Sequence, residues 1–479
     1  MSLTVSIIRR GLGVIMLASG AVMLMTAMLP GGVSSDVFIA RDPGVRPGPA
    51  GAGGPLSGLT TFEQQVFGVG REDFEEVQSV QGTIPDTEPG LGPRFNLDRC
   101  AGCHIQPDIG GTSPAVNPQV EVANKEGASN EIPFFITQNG PVREARFRVK
   151  PDGTPDGGVH PLFTITGRSD APGCAILQPD FRAAAASQNL IFRIPTPTFG
   201  SGLIEAIDDD TILKNMRANS LLKQMLGIQG RPNTSGNDGT ITRFGWKAQN
   251  KSLDLFSAEA YNVEQGVTNE IFPQERDEDP ACRFNATPET APHFDATDPL
   301  DVPSDVIKFA IFMRFLAPPT PAPDNPSIVL GRMLFNAVGC AVCHTPTLHT
   351  GKVATAALRE KDANLYSDLL LHNMGPGLAD GISQGGAGGD EFRTAPLWGL
   401  GQRMFFLHDG RTSDLLAAIQ AHASSGYGNG QIPPSNANQD HASPGNGQKP
   451  VSEANQVIAK FNQLPETYKQ SILNFLRGL

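Results

Sequence analysis

The chain has 479 residues, too many for one ordinary hydrophobic core, so two or three domains are expected. Charged residues make up 18% and the net charge is −12, a balance that argues against disorder and against a nucleic-acid partner, which would need a basic face. An acidic surface of this kind attracts a basic redox partner instead.

Arg9 and Arg10 precede an apolar run from Gly11 to Leu29 that Pro30 breaks, the pattern of an export signal. The run is long for a cleaved segment and no clean Ala-x-Ala site follows it. Residues 1–40 are therefore read as a signal peptide or a membrane anchor with its leader, and the protein as periplasmic. Residues 41–58, rich in Pro and Gly, read as mobile. A short helix is predicted at Thr61–Phe67, ahead of Cys100-Ala-Gly-Cys103-His104. Two thiols one helical turn apart can clamp the two vinyl groups of one porphyrin, and the imidazole beside them then reaches its iron. A zinc knuckle would need a second ligand pair nearby, and a redox dithiol a thioredoxin-like context; the sequence offers neither. The pattern returns at Cys340-Ala-Val-Cys343-His344. Two covalent c-type haems are expected, attached at Cys100, Cys103, Cys340 and Cys343, with His104 and His344 as proximal iron ligands.

Between the motifs, residues 119–243 exceed what a small cytochrome domain needs. The alternating runs Pro133–Thr137 and Leu162–Thr166 suggest an insertion with some β structure that covers the first haem. Residues 318–326 are too proline-rich for helix or central strand and read as a linker. The expected fold is mainly α with a minor β insertion, in two cytochrome c-like domains at 55–317 and 327–479, each holding one covalent haem. Helical spacing over Ser327–Gly339, with a glycine stop, delivers Cys340. The glycine-rich stretches Gly375–Gly389 and Ser424–Gly447 read as mobile loops. Asp414–His422 reads as an amphipathic helix capped by Ser413 or Thr412, and a helix from Pro465 to Leu476 closes the chain.

Cys174 and Cys282 remain, and in an oxidising compartment they are most simply a disulfide. His422 faces inward, as either a hydrogen-bonded core residue or a ligand of the second iron. Between His104 and His160 there is no His and no Met, so the first iron is expected to be open on its far side. Met216 and Met225 are alternative ligands, although packing explains them more simply.

Phe392-Arg-Thr-Ala-Pro-Leu-Trp-Gly-Leu-Gly401, followed by Phe406-Leu-His-Asp-Gly-Arg411, resembles the signature of the bacterial di-haem cytochrome c peroxidase and MauG superfamily. Within it, the chain is most similar to the di-haem oxidoreductases often called thiol oxidoreductase-like proteins. Cys100–Pro118, Asn139–Arg146, Ala171–Phe181, Phe244–Gln249 through Asn269 and Glu270, and Leu371–Gly375 carry the resemblance further, over roughly residues 58–479. It implies that His422 occupies the distal-ligand position of the second haem, where other members have Met or Tyr, giving a bis-histidine, electron-storing centre. It implies peroxide reduction at the first haem, with electrons passed through the second from a small donor, a cytochrome or a cupredoxin. Several members have a displaceable distal His that this sequence lacks. They also use a distal Gln and Glu; Glu259 and Glu264 are the catalytic candidates here, as general bases or else as solvated helix residues. Trp246 or Trp398 would bridge the haems or simply pack in the core. A calcium ion between the domains is also implied, with Asn130 near the matching position. Two other readings stay open: an electron carrier without peroxide chemistry, and an oxidase of a thiol or protein side chain.

Overall fold

Regular structure in the chain begins with α1 (Thr61–Glu75), and α2 (Cys100–Cys103) is a single turn holding the first motif. These come from a computed structural model that describes residues 38–424 and 451–479. The export signal and almost all of the Ser424–Gly447 loop lie outside the described residues, among which no helix is long and apolar enough to cross a membrane. An antiparallel sheet follows, with β1 (Glu144–Phe147) between β2 (Val159–His160) and β3 (Leu190–Arg193). Then come α3 (Asp209–Arg217), α4 (Ser220–Leu226) and α5 (Leu253–Ala260), which runs into a π-helical turn at Tyr261–Gln265, and then α6 (Asp305–Phe315). After a stretch without regular structure, α7 (Pro326–Val338) leads into a 3-10 turn at Cys340–Val342. A ribbon of β4 (Leu371–Asn373) and β5 (Glu391–Arg393) precedes α8 (Leu415–Gln420), α9 (Asn455–Asn462) and α10 (Glu466–Gly478). The fold is mainly helical with small sheets.

Each motif is backed by a pair of packed helices. For the first, α1 lies on α6, and Phe67 and Phe74 meet Phe312 at ring separations of 5.3 and 4.9 Å. A Cβ on Gly70 would collide with the Lys308 carbonyl, so only glycine permits that crossing. For the second, α7 lies on α10, Phe335 meets Phe475 at 5.4 Å, and a Cβ on Gly331 would collide with the Ser471 carbonyl. Burial of each such ring contributes about 1.5–3 kcal/mol. Helix α7 starts on an Asn325 cap and ends on Gly339 at φ 110°, which turns the chain directly into Cys340.

Several expectations are corrected. Helix α1 runs past Phe67 to Glu75: Thr60 and Glu63 fix its start with a capping box, with bonds of 3.2 and 2.7 Å, and Phe74 carries its buried face on to Phe309 and Phe312. Pro133–Thr137 is a turn, not a strand: Ile136 N–H donates to the Pro133 carbonyl and Phe134 points outward. The central strand is instead Glu144–Phe147, whose two charged side chains hid it from a hydrophobicity pattern. In Leu162–Thr166 only Phe163–Thr164 pairs, with Arg94–Phe95. Asp414 caps α8 itself, its Oδ1 accepting from Ala417 N–H at 2.7 Å, while Thr412 holds Asp414. The stretch Gly375–Gly389 is pinned by Asp380, which is 2% exposed and bonded to Arg193 and Lys247. Residues 41–58, expected to be mobile, are tied down: Asp42 makes a nearly buried ion pair with Arg477, and Arg46 N–H donates to the Gly401 carbonyl at 2.7 Å. Composition could not reveal a partner 435 residues away. The expected disulfide is present, Cys174 to Cys282, with Cα atoms 4.7 Å apart inside the core that holds Phe95, Phe163 and Phe181.

Two candidate haem cavities

Cys100, Cys103 and His104 open onto a cavity of about 1150 Å³. Strand alternation directs Glu144 and Arg146 of β1 to the same side, and Arg193 of β3 lies opposite Glu144 in register; all three line the cavity. Arg146 donates to Glu144 at 2.6 Å. Helix α5 contributes Glu259, which accepts from the Asn250 amide at 2.5 Å, and the π-helical turn contributes Tyr261, Glu264 and Gln265. Such turns concentrate at functional sites, because the inserted residue shifts the side chains around it. Burial pushes the Glu264 carboxyl up to about 8, with the neighbouring Glu144 adding to the rise and Arg146 opposing it. Glu264 therefore keeps its proton at neutral pH. The Gln265 amide donates to Cys100 Sγ at 3.0 Å.

His104 donates from Nδ1 to the Gly111 carbonyl at 3.0 Å, and burial lowers its pKa to about 4 while that bond and one to Thr196 work the other way. A neutral ring anchored at Nδ1 leaves Nε2 for a metal. His104 is the sole histidine among the described residues lining this cavity. Of the candidate methionines, Met216 packs at the margin of the main core and Met225 is 79% exposed; neither reaches the cavity. Met313 of α6 does line it, a residue that a search confined to the stretch after His104 passes over.

Cys340, Cys343 and His344 open onto the second cavity, of about 1390 Å³. His422 lines it too. Both imidazoles are anchored alike: His344 Nδ1 donates to the Tyr366 carbonyl at 2.9 Å and His422 Nδ1 to the Ala418 carbonyl at 2.8 Å. Burial, with His422 nearby, brings His344 down to about 4. Much of the remaining wall is aliphatic, from Val457, Ile458, Ile472 and Leu476. Arg393 and Arg403 also face it, each pushed down to about 10 by burial, and neither has an acidic partner among the described residues.

Trp246 lines both cavities, held by a 2.9 Å bond from Nε1 to the Ile194 carbonyl. Behind it Lys247, fully buried, bonds Asp380 at 3.2 Å and lies 4.0 Å above the Phe392 ring, which stacks on His408 at 4.3 Å. Burial opposes the charge of Asp380, but Lys247 and Arg193 outweigh it and its pKa falls. Trp398 packs in the main core against Gly200 and lines neither cavity.

The residues present fit a haem in each cavity. Burial raises the motif thiols, Cys340 up to about 12, which disfavours a thiolate metal site. Arg403, buried, and Arg393, half-buried, bring two positive charges to this wall that an anion such as a propionate would balance. In the first cavity Arg143 Nε, Gln249 Oε1 and Gln265 Oε1 are buried without a partner, which a polar occupant would complete. Cys343, Asp368 and His372 also cluster, but Asp368 and Glu453 engage both ring nitrogens of His372, at 3.0 and 2.7 Å, leaving none for a metal. Asn130 uses its amide on Ala123 and Thr164. The two glutamates named from the sequence, Glu259 and Glu264, line the cavity of the first motif, as do Glu144, Arg146 and Arg193, which the sequence did not single out. The stretch Asn139–Arg146 carried the resemblance, and its two alternate charged residues were the available signal.

Among solved structures, the chain is similar to the hydrazine synthase of Kuenenia stuttgartiensis at 13% identity and a TM-score of 0.32, covering 96% of this chain and 100% of that one. It is similar to a MauG-like protein associated with microbial copper homeostasis at 14% and 0.30, covering 60% and 90%. It is also similar to the diheme peroxidase BthA of Burkholderia thailandensis at 14% and 0.27, covering 70% and 91%. At those scores none of the three informs the chemistry of this chain. No curated protein matches it. Residues 149–431 match the family described as "Di-haem oxidoreductase, putative peroxidase". That match covers more than half of the chain and includes the second motif, His422 and both candidate glutamates, so this protein is an enzyme belonging to the di-haem oxidoreductase family.

Proposed function

We propose that the protein is an exported di-haem peroxidase in which each Cys-x-x-Cys-His sequence carries one covalent haem. Hydrogen peroxide is reduced at the first, and electrons enter at the second from a small basic redox protein such as a cytochrome or cupredoxin. The observation that carries this reading is the inequality of the two cavities: Glu144, Glu259 and Glu264 with one histidine line the first, while four histidines line the second, His344 and His422 each anchored through Nδ1 to a backbone carbonyl, His372 held by Asp368 and Glu453, and His408 stacked on Phe392. The helix pairs α1/α6 and α7/α10, each crossing at a glycine, favour two cytochrome c-like units.

When bound, the haems supply one-electron transfer and, at an open iron, a place for peroxide. Reduction of one H2O2 consumes two electrons and two protons and yields two waters. Glu264, protonated at neutral pH, donates a proton to the leaving oxygen. Glu144, paired with Arg146, and Glu259, oriented by Asn250, stand at the same wall and add to the rise that keeps the proton on Glu264. His344 and His422 would hold the second haem, and Trp246, common to both walls, would connect the two sites through the protein. Arg393 and Arg403 would bind the acidic edge of the second haem.

The test is to reduce the protein fully and add hydrogen peroxide. Both haems are expected to reoxidise with two electrons consumed per peroxide, and a reduced protein that stays reduced refutes the reading. A pure electron carrier is the second reading, favoured by Met313 in the first cavity. It requires Met313→Leu to change the first haem's spectrum, whereas the peroxidase reading leaves that spectrum as it is.

A further inference from the structure

The segment just after the export signal is bound into the second haem cavity's support. Asp42 is the hub. Its Oδ2 accepts from Leu415 N–H at 2.8 Å and from Arg477 Nη2 at 2.6 Å, and its Oδ1 accepts from Arg477 Nε at 2.7 Å and Gly44 N–H at 3.0 Å. The Asp42 and Arg477 side chains are 8% and 5% exposed. Arg477 in turn donates to the Arg403 carbonyl at 2.9 Å and covers the Phe406 ring. Ala40 packs in the same core as Leu415 and Ala418, and its N–H reaches Glu466 at the start of α10. One carboxylate thus joins the N-terminal arm, the C-terminal helix and the first residue of α8.

Helix α8 has only six residues and ends just before His422. A helix this short is not stable by itself, so its ends must be fixed from outside. Asp414 caps one of its first N–H groups and Asp42 takes another, while Ser452 Oγ donates to the His422 carbonyl at 2.5 Å at the far end. The His422 ring is itself bonded to Ala418, inside the same helix. Any shift of α8 along its axis therefore moves the imidazole with it.

We propose that Asp42 is a positioning residue for the second haem's distal ligand: the arm at residues 39–46 straps α8 in place and thereby sets how well His422 reaches the iron. This rests on the reading of His422 as that ligand. The N-terminal arm, where export leaves it, would then finish the electron-entry centre only once it has docked.

The experiment uses the full-length holoprotein. Electron paramagnetic resonance of the ferric form and a redox titration are compared for the native chain, His422→Ala, Asp42→Ala, Asp42→Asn and Leu415→Pro. The last variant removes the N–H that Asp42 accepts together with the buried Leu415 side chain, so it is read against Leu415→Ala, which keeps that N–H; Asp414 at φ −100°, ψ 121° suits the residue before a proline, and the first helical position tolerates one. Asp42→Ala and Leu415→Pro are each expected to lose part of the second haem's low-spin signal and shift its midpoint potential, with the first haem unchanged. Asp42→Asn, which keeps an acceptor oxygen, is expected to lose less. If Asp42→Ala does not fold, judged by circular dichroism, Leu415→Pro decides. A full native low-spin signal and potential in folded Asp42→Ala or in Leu415→Pro, while His422→Ala loses that signal, overturns the strap and leaves the ligand reading standing. A native signal in His422→Ala overturns both.

Discussion

The two cavities begin from the same five-residue pattern and end with different walls. Around Cys100 the chain has inserted a sheet and a π-helical turn, which bring Glu144, Arg146, Arg193 and Glu264 to the cavity. Around Cys340 the two-stranded ribbon of β4 and β5 brings His372, Phe392 and Arg393, α8, α9 and α10 add aliphatic side chains, His422 follows α8, and the one carboxylate on the wall among the described residues, Glu453, is already held by His372. The attachment motif fixes where a haem goes, and the segments between the helix pairs determine what that haem can do. An iron with proton-carrying groups beside it suits bond cleavage, and one with two tethered imidazoles suits electron storage.

The contrast can be broken most severely at Glu264. Glu264→Gln removes the proton donor and keeps the shape, so turnover with hydrogen peroxide should fall by about 10²–10⁴ while both ferric spectra stay native. An unchanged steady-state rate would move the acid role elsewhere on that wall. Trp246→Phe should slow electron passage between the haems by a smaller factor, seen by stopped-flow absorbance. Loss of the bond to Ile194 should cost about 1 kcal/mol in thermal unfolding. Next, the rate should depend on pH in one direction: Glu264 is protonated below about 8 and loses its proton above it, so kcat should decline through that pH and the decline should vanish in Glu264→Gln. Last, Cys174→Ser with Cys282→Ser should lower stability by about 2–5 kcal/mol in denaturant titration and leave turnover alone, because that bond braces the insertion and neither cysteine lines a cavity.

Glu264 also links folding to pH. Its folded carboxyl holds a proton up to about 8 against an ordinary value of 4.5. The folded state binds more protons across that window, so this group lowers stability as pH rises through it. Replacement by Gln should raise the melting temperature at pH 8 more than at pH 5.

What the sequence made legible was local. The Cys and His spacing, the helix ending on Gly339, and the inward face that carries His422 all depend on residues within a few positions of one another. Glu259 and Glu264 were named from the resemblance, but the higher pKa of Glu264 comes first from its burial and then from Glu144, which lies on a strand more than a hundred residues earlier. Arg193 and Lys247 meet at Asp380, and Asp42 meets Arg477, across still longer separations that no periodicity records. Short strands such as Glu144–Phe147 escaped because their alternation is between charged and apolar side chains facing a cavity, which resembles an exposed strand.

The most direct test of the central claim is the electron paramagnetic resonance spectrum of the ferric holoprotein at neutral pH. The account predicts two centres in equal amounts, one high-spin from the haem at Cys100 and Cys103, and one low-spin with bis-imidazole character from the haem at Cys340 and Cys343. Two low-spin six-coordinate centres would contradict it, and would make the chain an electron carrier.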